Sequence, residues 1–97
     1  MAIEVMVVSN LGKVHGRVSG TEINELCRRA NGAGLPMLGY VDEYDDTYFN
    51  RSQMRLLIPE LEQLARSAPP AEANMATQLL ELARRVSTHD QMIFAGD

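Results

Sequence analysis

Apolar and polar residues alternate at the start of the chain and again after a short turn. Ile3, Val5 and Val7 alternate with Glu4 and Met6. β-Branched residues repeating every second position are typical of a strand with one buried face. Residues 10–13 read as a turn, and residues 14–18 can return as a second strand. The pattern therefore predicts a β-hairpin over residues 3–18.

The next segment repeats its apolar residues with the period of a helix. Positions 23, 26, 27 and 30 are apolar, which gives one stripe with the spacing i, i+3, i+4 and i+7. Ser19 and Glu22 fit a capping box at the start, and Asn31-Gly32 is a suitable left-handed stop. These features predict a first helix over residues 21–31.

Two more helices follow in the second half of the chain. Asn50 and Gln53 predict a capped start, and the apolar stripe then runs from residue 54 to residue 65. Pro59 lies inside this stripe but points away from it, so the pattern favours one kinked helix over two short ones. Pro70 can open the third helix, whose apolar face runs from residue 75 to residue 86.

The remaining segments complete the expected fold. Residues 91–95 read as a final strand that pairs with the N-terminal hairpin, and residues 33–49 read as a loop with a short strand possible at 37–41. We therefore predict a single α+β domain over residues 1–97. Its small antiparallel sheet, the N-terminal hairpin plus the C-terminal strand, is covered on one face by three helices.

Composition limits the setting in which such a domain works. The apolar and charged fractions, 45% and 23%, are ordinary for a globular protein. A single cysteine allows no intrachain disulfide. The N-terminus lacks a basic region and a small-residue cleavage site, and no apolar run reaches the roughly 20 residues that span a bilayer. We expect a cytoplasmic protein with no membrane partner.

The charge is concentrated in one short segment. Residues 40–50, the acidic segment, contain four carboxylates, no base, and all three tyrosines of a chain whose net charge is −4. Clustered carboxylates steer a basic partner, and exposed aromatic rings supply contact area. This sign is the opposite of what nucleic acid requires. The expected partner-binding residues are Asp42, Glu43, Tyr44, Asp45, Asp46 and Tyr48.

A plainer interpretation of the acidic segment stays open. Tyr40 and Phe49 can anchor the segment to the core and leave the acids merely solvated. A small enzyme that uses the loop carboxylates with His15, and a structural subunit that forms homodimers, are further alternatives. The leading hypothesis is a non-enzymatic module that neutralises or regulates a basic protein, as an immunity protein or antitoxin does.

The sequence gives little support for catalysis or cofactor binding. Cys27 lies on the apolar stripe of the first helix, where a thiol packs as a small hydrophobe. His15 and His89 are too few for a zinc site by themselves. The glycines form no phosphate-binding loop. We expect no cofactor, no metal and no catalytic residue.

One stretch resembles a group of short, uncharacterised bacterial proteins. The run Asp-Asp-Thr-Tyr-Phe-Asn-Arg-Ser-Gln-Met-Arg at residues 45–55 is similar to their signature, and so are the ending at residues 94–97 and Val14-His15-Gly16. The similarity touches about half of the chain, and Asp45 departs from the glycine expected there. The resemblance implies the same architecture and no established activity.

Overall fold

The computed structural model describes residues 2–96 and contains a sheet of four antiparallel strands in the order β2-β1-β4-β3. β1 (Glu4–Val8) and β2 (Val14–Ser19) form the predicted hairpin, and β4 (Gln91–Ala95) pairs with the other side of β1. β3 (Thr47–Asn50) pairs with β4 and forms an edge of the sheet. The predicted α+β fold is confirmed, with one strand more than expected.

One face of the sheet is buried against the helices. Val5 and Val7 of β1 and Met92 and Phe94 of β4 are buried, and they alternate with partly or fully exposed neighbours. Phe49 of β3 meets Phe94 edge to face, with 5.6 Å between the ring centroids. Burying an apolar side chain of this size contributes roughly 1.5–3 kcal/mol. The buried row therefore fixes which face of each strand points inward.

Three helices, α1 (Thr21–Gly32), α2 (Met54–Ser67) and α3 (Pro70–Ala83), cover that face. Their predicted apolar stripes face the core, although Ile58 and Ala65 of α2 are only partly buried, and α2 packs beside α3. Val86, expected at the end of the apolar face of α3, is buried but lies beyond the end of the helix. α2 is continuous through Pro59, which is exposed, so the single-helix interpretation is confirmed. The predicted capping box is also present, since Asn50 and Gln53 each accept the other's backbone N–H. Pro70 opens α3 as expected.

The predicted ends of α1 are wrong in detail. Ser19 is the last residue of β2, and Gly20, with φ of 150°, precedes the helix without any side-chain cap. At the other end, the left-handed residue is Gly34, with φ of 73°, and not the Asn31-Gly32 pair. Glycine reaches these backbone angles without the steric cost that a Cβ imposes. The two glycines therefore mark where the chain changes direction.

Two predictions for residues 33–49 are also wrong. The short strand expected at 37–41 is a single 3₁₀ turn, Leu38–Tyr40. The last residues of the expected loop belong to β3. A strand of four residues contains too few alternating positions to be recognised from the sequence. These residues form a strand because they pair with β4.

A buried carboxylate holds the 3₁₀ turn against α2. Glu60 is only 6% exposed, and its two oxygens accept the N–H groups of Met37 and Leu38 at 2.9 and 2.8 Å. Gly39 then lies directly on the end of α1, where a Cβ would come within 3.0 Å of the Asn31 Cα. The turn has this shape because α2 supplies acceptors for its amides and α1 leaves no space beside it.

We predict that Glu60→Gln destabilises the protein by about 1–3 kcal/mol, because the amide keeps one acceptor oxygen and turns an NH₂ group toward a backbone N–H. The measurement is the free energy of unfolding in urea. Glu62→Gln is the control, since Glu62 forms only a 3.4 Å pair with Arg84 at the surface, and such pairs contribute at most about 1 kcal/mol. Equal losses for the two variants would contradict the role given to Glu60.

Candidate partner-binding site

The acidic segment runs from the 3₁₀ turn to β3, and most of its side chains face water. Tyr40 and Tyr44 are 76% and 78% exposed, whereas Val41 and Phe49 are buried. The expectation that Phe49 anchors the segment is therefore confirmed. The same expectation for Tyr40 is wrong, because Val41 enters the core in its place.

Glu43 is neutralised within the protein. Arg28 of α1 donates to Glu43 Oε1 at 2.7 Å, and Asn24 Nδ2 donates to the same oxygen at 3.1 Å. The Oδ1 atom of Asn24 in turn accepts the N–H of Ile3 at 3.1 Å. This chain of contacts ties the segment to α1 and to the residue before β1. Glu43 was among the expected binding residues. We leave it out of the candidate surface because its carboxylate already pairs with Arg28 and Asn24.

Asp42, Asp45 and Asp46 are exposed, and within residues 2–96 no cationic side chain forms an ion pair with them. Asp42 Oδ1 accepts the N–H of Tyr44, and Asp45 Oδ1 accepts the N–H of Asp46, both at 2.8 Å. Each of these bonds uses one carboxylate oxygen to fix the local backbone. The negative charges therefore sit on an ordered loop and are not balanced by neighbouring cations.

The backbone of the acidic segment packs directly against Gly96. A Cβ at this position would collide with the backbone O of Asp45, and would lie 2.6 Å from the Asp45 N and 2.8 Å from the Asp42 O. Steric contact with the loop thus favours glycine at this position, whereas Asp97, the next residue, lies outside the described residues. The loop main chain rests directly on the end of β4.

The expected binding residues divide between two surfaces. Tyr48 pairs with Ile93 across β3 and β4, while the adjacent Phe49 points into the core. Because neighbouring strand residues point to opposite faces, Tyr48 projects from the face of the sheet away from the helices. The other residues form a loop surface, which we call the acidic surface: Asp42, Tyr44, Asp45 and Asp46.

His15 does not meet the acidic surface. It lies on β2, which is separated from β3 by two strands, or about 14 Å at the usual strand spacing. Its neighbours in β1 are Val7 and Val8, at the end of that strand away from the loop. The combination of His15 with loop carboxylates, which would have favoured the enzyme alternative, is therefore not formed.

A polar cleft of about 560 Å³ lies at the end of the sheet opposite the acidic surface. His89, which has a φ of 71°, lines it together with residues of the hairpin turn and of the segment that leads from β3 into α2. Asp90 also lines it, but its carboxylate accepts the N–H and the hydroxyl of Ser87. These two bonds, and more weakly the positive potential of His15 and His89, lower the pKa of Asp90. Three distant loops form this cleft, so no local sequence motif indicates it.

No protein-family model matches this chain, and no curated protein or solved structure matches it. Function must therefore be argued from the site itself. In the part of the chain that the structure describes, no group of three or more metal-binding side chains comes together. None of the helices in that part has the length and apolar character needed to cross a membrane.

Cys27 lies beneath the acidic segment and is buried, which confirms its predicted place in the core. Burial raises the pKa of its thiol to about 12; the negative charge of Glu43 adds to the rise, and Arg28 opposes it. A thiol in this state is a poor nucleophile at neutral pH, because only the thiolate reacts readily.

We predict that Gly96→Ala displaces the loop and destabilises the protein by about 1–3 kcal/mol, because the methyl group would overlap the backbone of Asp45. Amide chemical shifts of residues 42–46 and urea unfolding measure the two effects. Gly32→Ala is the control, since a Cβ there meets nothing within 4 Å. Unchanged loop shifts in Gly96→Ala would show that the loop does not rest on this residue.

The Cys27 thiol provides a pH-dependent test of the same region. Its folded pKa of about 12 lies above the ordinary value of 9.0 for a cysteine thiol, so the folded state keeps a proton that the unfolded state loses between these values. The free energy of unfolding should fall by up to about 1.4 kcal/mol per pH unit in this range. Cys27→Ala should remove that part of the slope. Unfolding titrations of both proteins at pH 8–11 make the comparison, and identical slopes would contradict the assignment.

Proposed function

We propose that this protein binds a basic protein partner through the acidic surface and neutralises or regulates it, as an immunity protein or antitoxin does. The observation that supports the proposal is the ordered loop itself, which exposes the ring of Tyr44 and three carboxylates that form no ion pair within residues 2–96. We further propose that the protein acts in the cytoplasm, where its single thiol stays reduced.

The charge of the acidic surface favours rapid and selective encounter with a cationic partner. Carboxylates on a surface patch raise the association rate with an oppositely charged protein and oppose association with acidic ones. Each aspartate keeps oxygen lone pairs that its local hydrogen bond does not use. Arginine is the best-suited contact, because its guanidinium can donate two parallel hydrogen bonds to one carboxylate.

Tyr44 gives this surface more than charge. A tyrosine ring covers a large contact area with few rotatable bonds, and tyrosine is enriched among residues whose truncation strongly weakens binding. Its ring is next to the aspartates along the chain, so one arginine can contact both a carboxylate and the aromatic face. Tyr40, also exposed, lies at the start of the same segment.

We predict that the double variant Asp42→Asn with Asp45→Asn slows association with the partner at least tenfold at low salt. Asparagine retains the oxygen that accepts the local N–H, so the loop shape is preserved while two charges are removed. The partner is first captured on the immobilised wild-type protein and identified, and binding rates are then measured with both proteins purified, as a function of salt.

The control removes two charges elsewhere. Glu62→Gln with Glu81→Gln gives the same net charge, but these residues lie on α2 and α3; the association rate should change less than threefold. Tyr44→Ala should mainly speed dissociation, because it removes contact area and leaves the charge. A partner that is acidic, or two double variants with equal effects, would contradict the proposal. In bacteria that produce the partner, loss of protection by the loop variant tests the neutralising role.

A further inference from the structure

The face of the sheet away from the helices carries an apolar row. Arg17, Met6, Ile93 and Tyr48 are direct neighbours across β2, β1, β4 and β3. The two central members are aliphatic and partly exposed, and Val8 lies beside them on the same face. Among the described residues no helix covers this side, because all three helices pack on the opposite face.

The ends of the row differ in charge. Arg17 begins it at one edge, paired with Glu4 at 3.3 Å in a contact whose side chains are 57% and 40% exposed. Such an exposed pair is weak, so Arg17 can also contact a second molecule. At the other edge, Tyr48 follows two residues after Asp46, a carboxylate without an ion-pair partner in residues 2–96.

We propose that two copies of this chain form a dimer through this face. The two-fold axis of this dimer runs parallel to the strands and lies above the exposed face, over the midpoint between β1 and β4. It places β2 of one copy opposite β3 of the other. Met6 of one copy then meets Ile93 of its partner, and the reverse contact follows by symmetry. Arg17 of one copy meets the Tyr48 ring of its partner, close to Asp46. The apolar centre is thus buried, and Arg17 at one end of each row comes close to the Asp46 carboxylate that lies beside the other end.

Pairing through a sheet edge is less favourable in this molecule. Edge β3 has only four residues and follows directly after the acidic surface, and the register between β1 and edge β2 shifts at Val7 and Val8. Short strands, charges and bulges at an edge all hinder edge-to-edge pairing. The exposed face offers the larger surface.

The area of the exposed face determines how tightly the two copies are expected to bind. Four strands about 4.8 Å apart and five residues long at about 3.3 Å each cover roughly 20 by 17 Å. This is about 340 Å² on each copy and roughly 700 Å² in total, which is below the size of stable interfaces, so the dimer is weak and should dissociate on dilution. We expect the average molecular mass to rise from that of one chain toward that of two between about 5 and about 500 µM.

Analytical ultracentrifugation over this concentration range tests the proposal. Ile93→Thr, which keeps a β-branched residue in the strand, should raise the dimer dissociation constant at least tenfold. Leu56→Gln is the matched control, because Leu56 is a half-exposed apolar residue on α2, away from the face, and should change nothing. Urea unfolding and far-UV circular dichroism verify that each variant is folded.

A charge swap tests the geometry itself. Arg17→Glu alone should weaken the dimer at least tenfold, because it sets glutamate opposite Asp46 of the partner copy. Adding Asp46→Arg to the same chain should restore it to within about threefold, because the facing charges are again opposite. A protein that is monomeric at every concentration overturns the proposal. So does a dimer that Ile93→Thr and Arg17→Glu leave unchanged, which would indicate another interface.

This inference and the proposed function can fail separately. Asp42→Asn with Asp45→Asn should leave the dimer unchanged, since neither residue lies in the row. Ile93→Thr should leave the association rate of the monomer with the basic partner unchanged, because Ile93 lies outside the acidic surface. The rate is measured at concentrations where the chain is monomeric, since Asp46 takes part in both proposed contacts. A monomeric protein that still binds a basic partner would contradict the proposed dimer and leave the proposed function standing.

Discussion

The display of the acidic surface depends on the buried carboxylate of Glu60. By accepting the N–H groups of Met37 and Leu38, it fixes the only 3₁₀ turn between α1 and β3 in the described chain. Without acceptors these amides would have to turn toward water, since an unsatisfied buried N–H is costly. The turn sets where Val41 enters the core, and Val41 sets where the loop begins. The buried carboxylate of Glu60 on α2 thus helps to determine where the acidic surface lies.

The carboxylates of this region have different physical roles although they are close in sequence. Glu43 is held by Arg28 and Asn24 and joins the segment to α1. Asp42 and Asp45 hold the loop backbone with one oxygen each. Some carboxylate oxygens of the segment therefore stabilise the fold, and the remaining oxygens face solvent. A count of acids in the sequence does not separate these roles, because the separation depends on where α1 places Arg28.

Patterns that repeat along one element could be predicted from the sequence, and contacts between distant elements could not. The stripe that contains Leu57 and Leu61, the cap formed by Asn50 and Gln53, and the strand at residues 91–95 follow from local periodicity and capping. By contrast, β3 requires β4 as a neighbour. The turn at residues 38–40 requires Glu60 from a later helix, and the close approach of Gly96 to Asp45 joins segments fifty positions apart. Of the predicted site, the exposure of Tyr44 and the aspartates could be foreseen, whereas the internal pairing of Glu43 and the orientation of Tyr48 could not.

The rigidity of the loop matters for any binding role. A flexible acidic segment would lose conformational freedom when a partner bound it, and that loss would reduce the affinity. Here Asp42 and Asp45 already fix the backbone amides beside them, and Gly96 supports the loop from the end of β4. The carboxylates are therefore held in place before a partner arrives. The folding energy of the domain orders the loop backbone in advance, and this lowers the entropy cost of the binding that we propose.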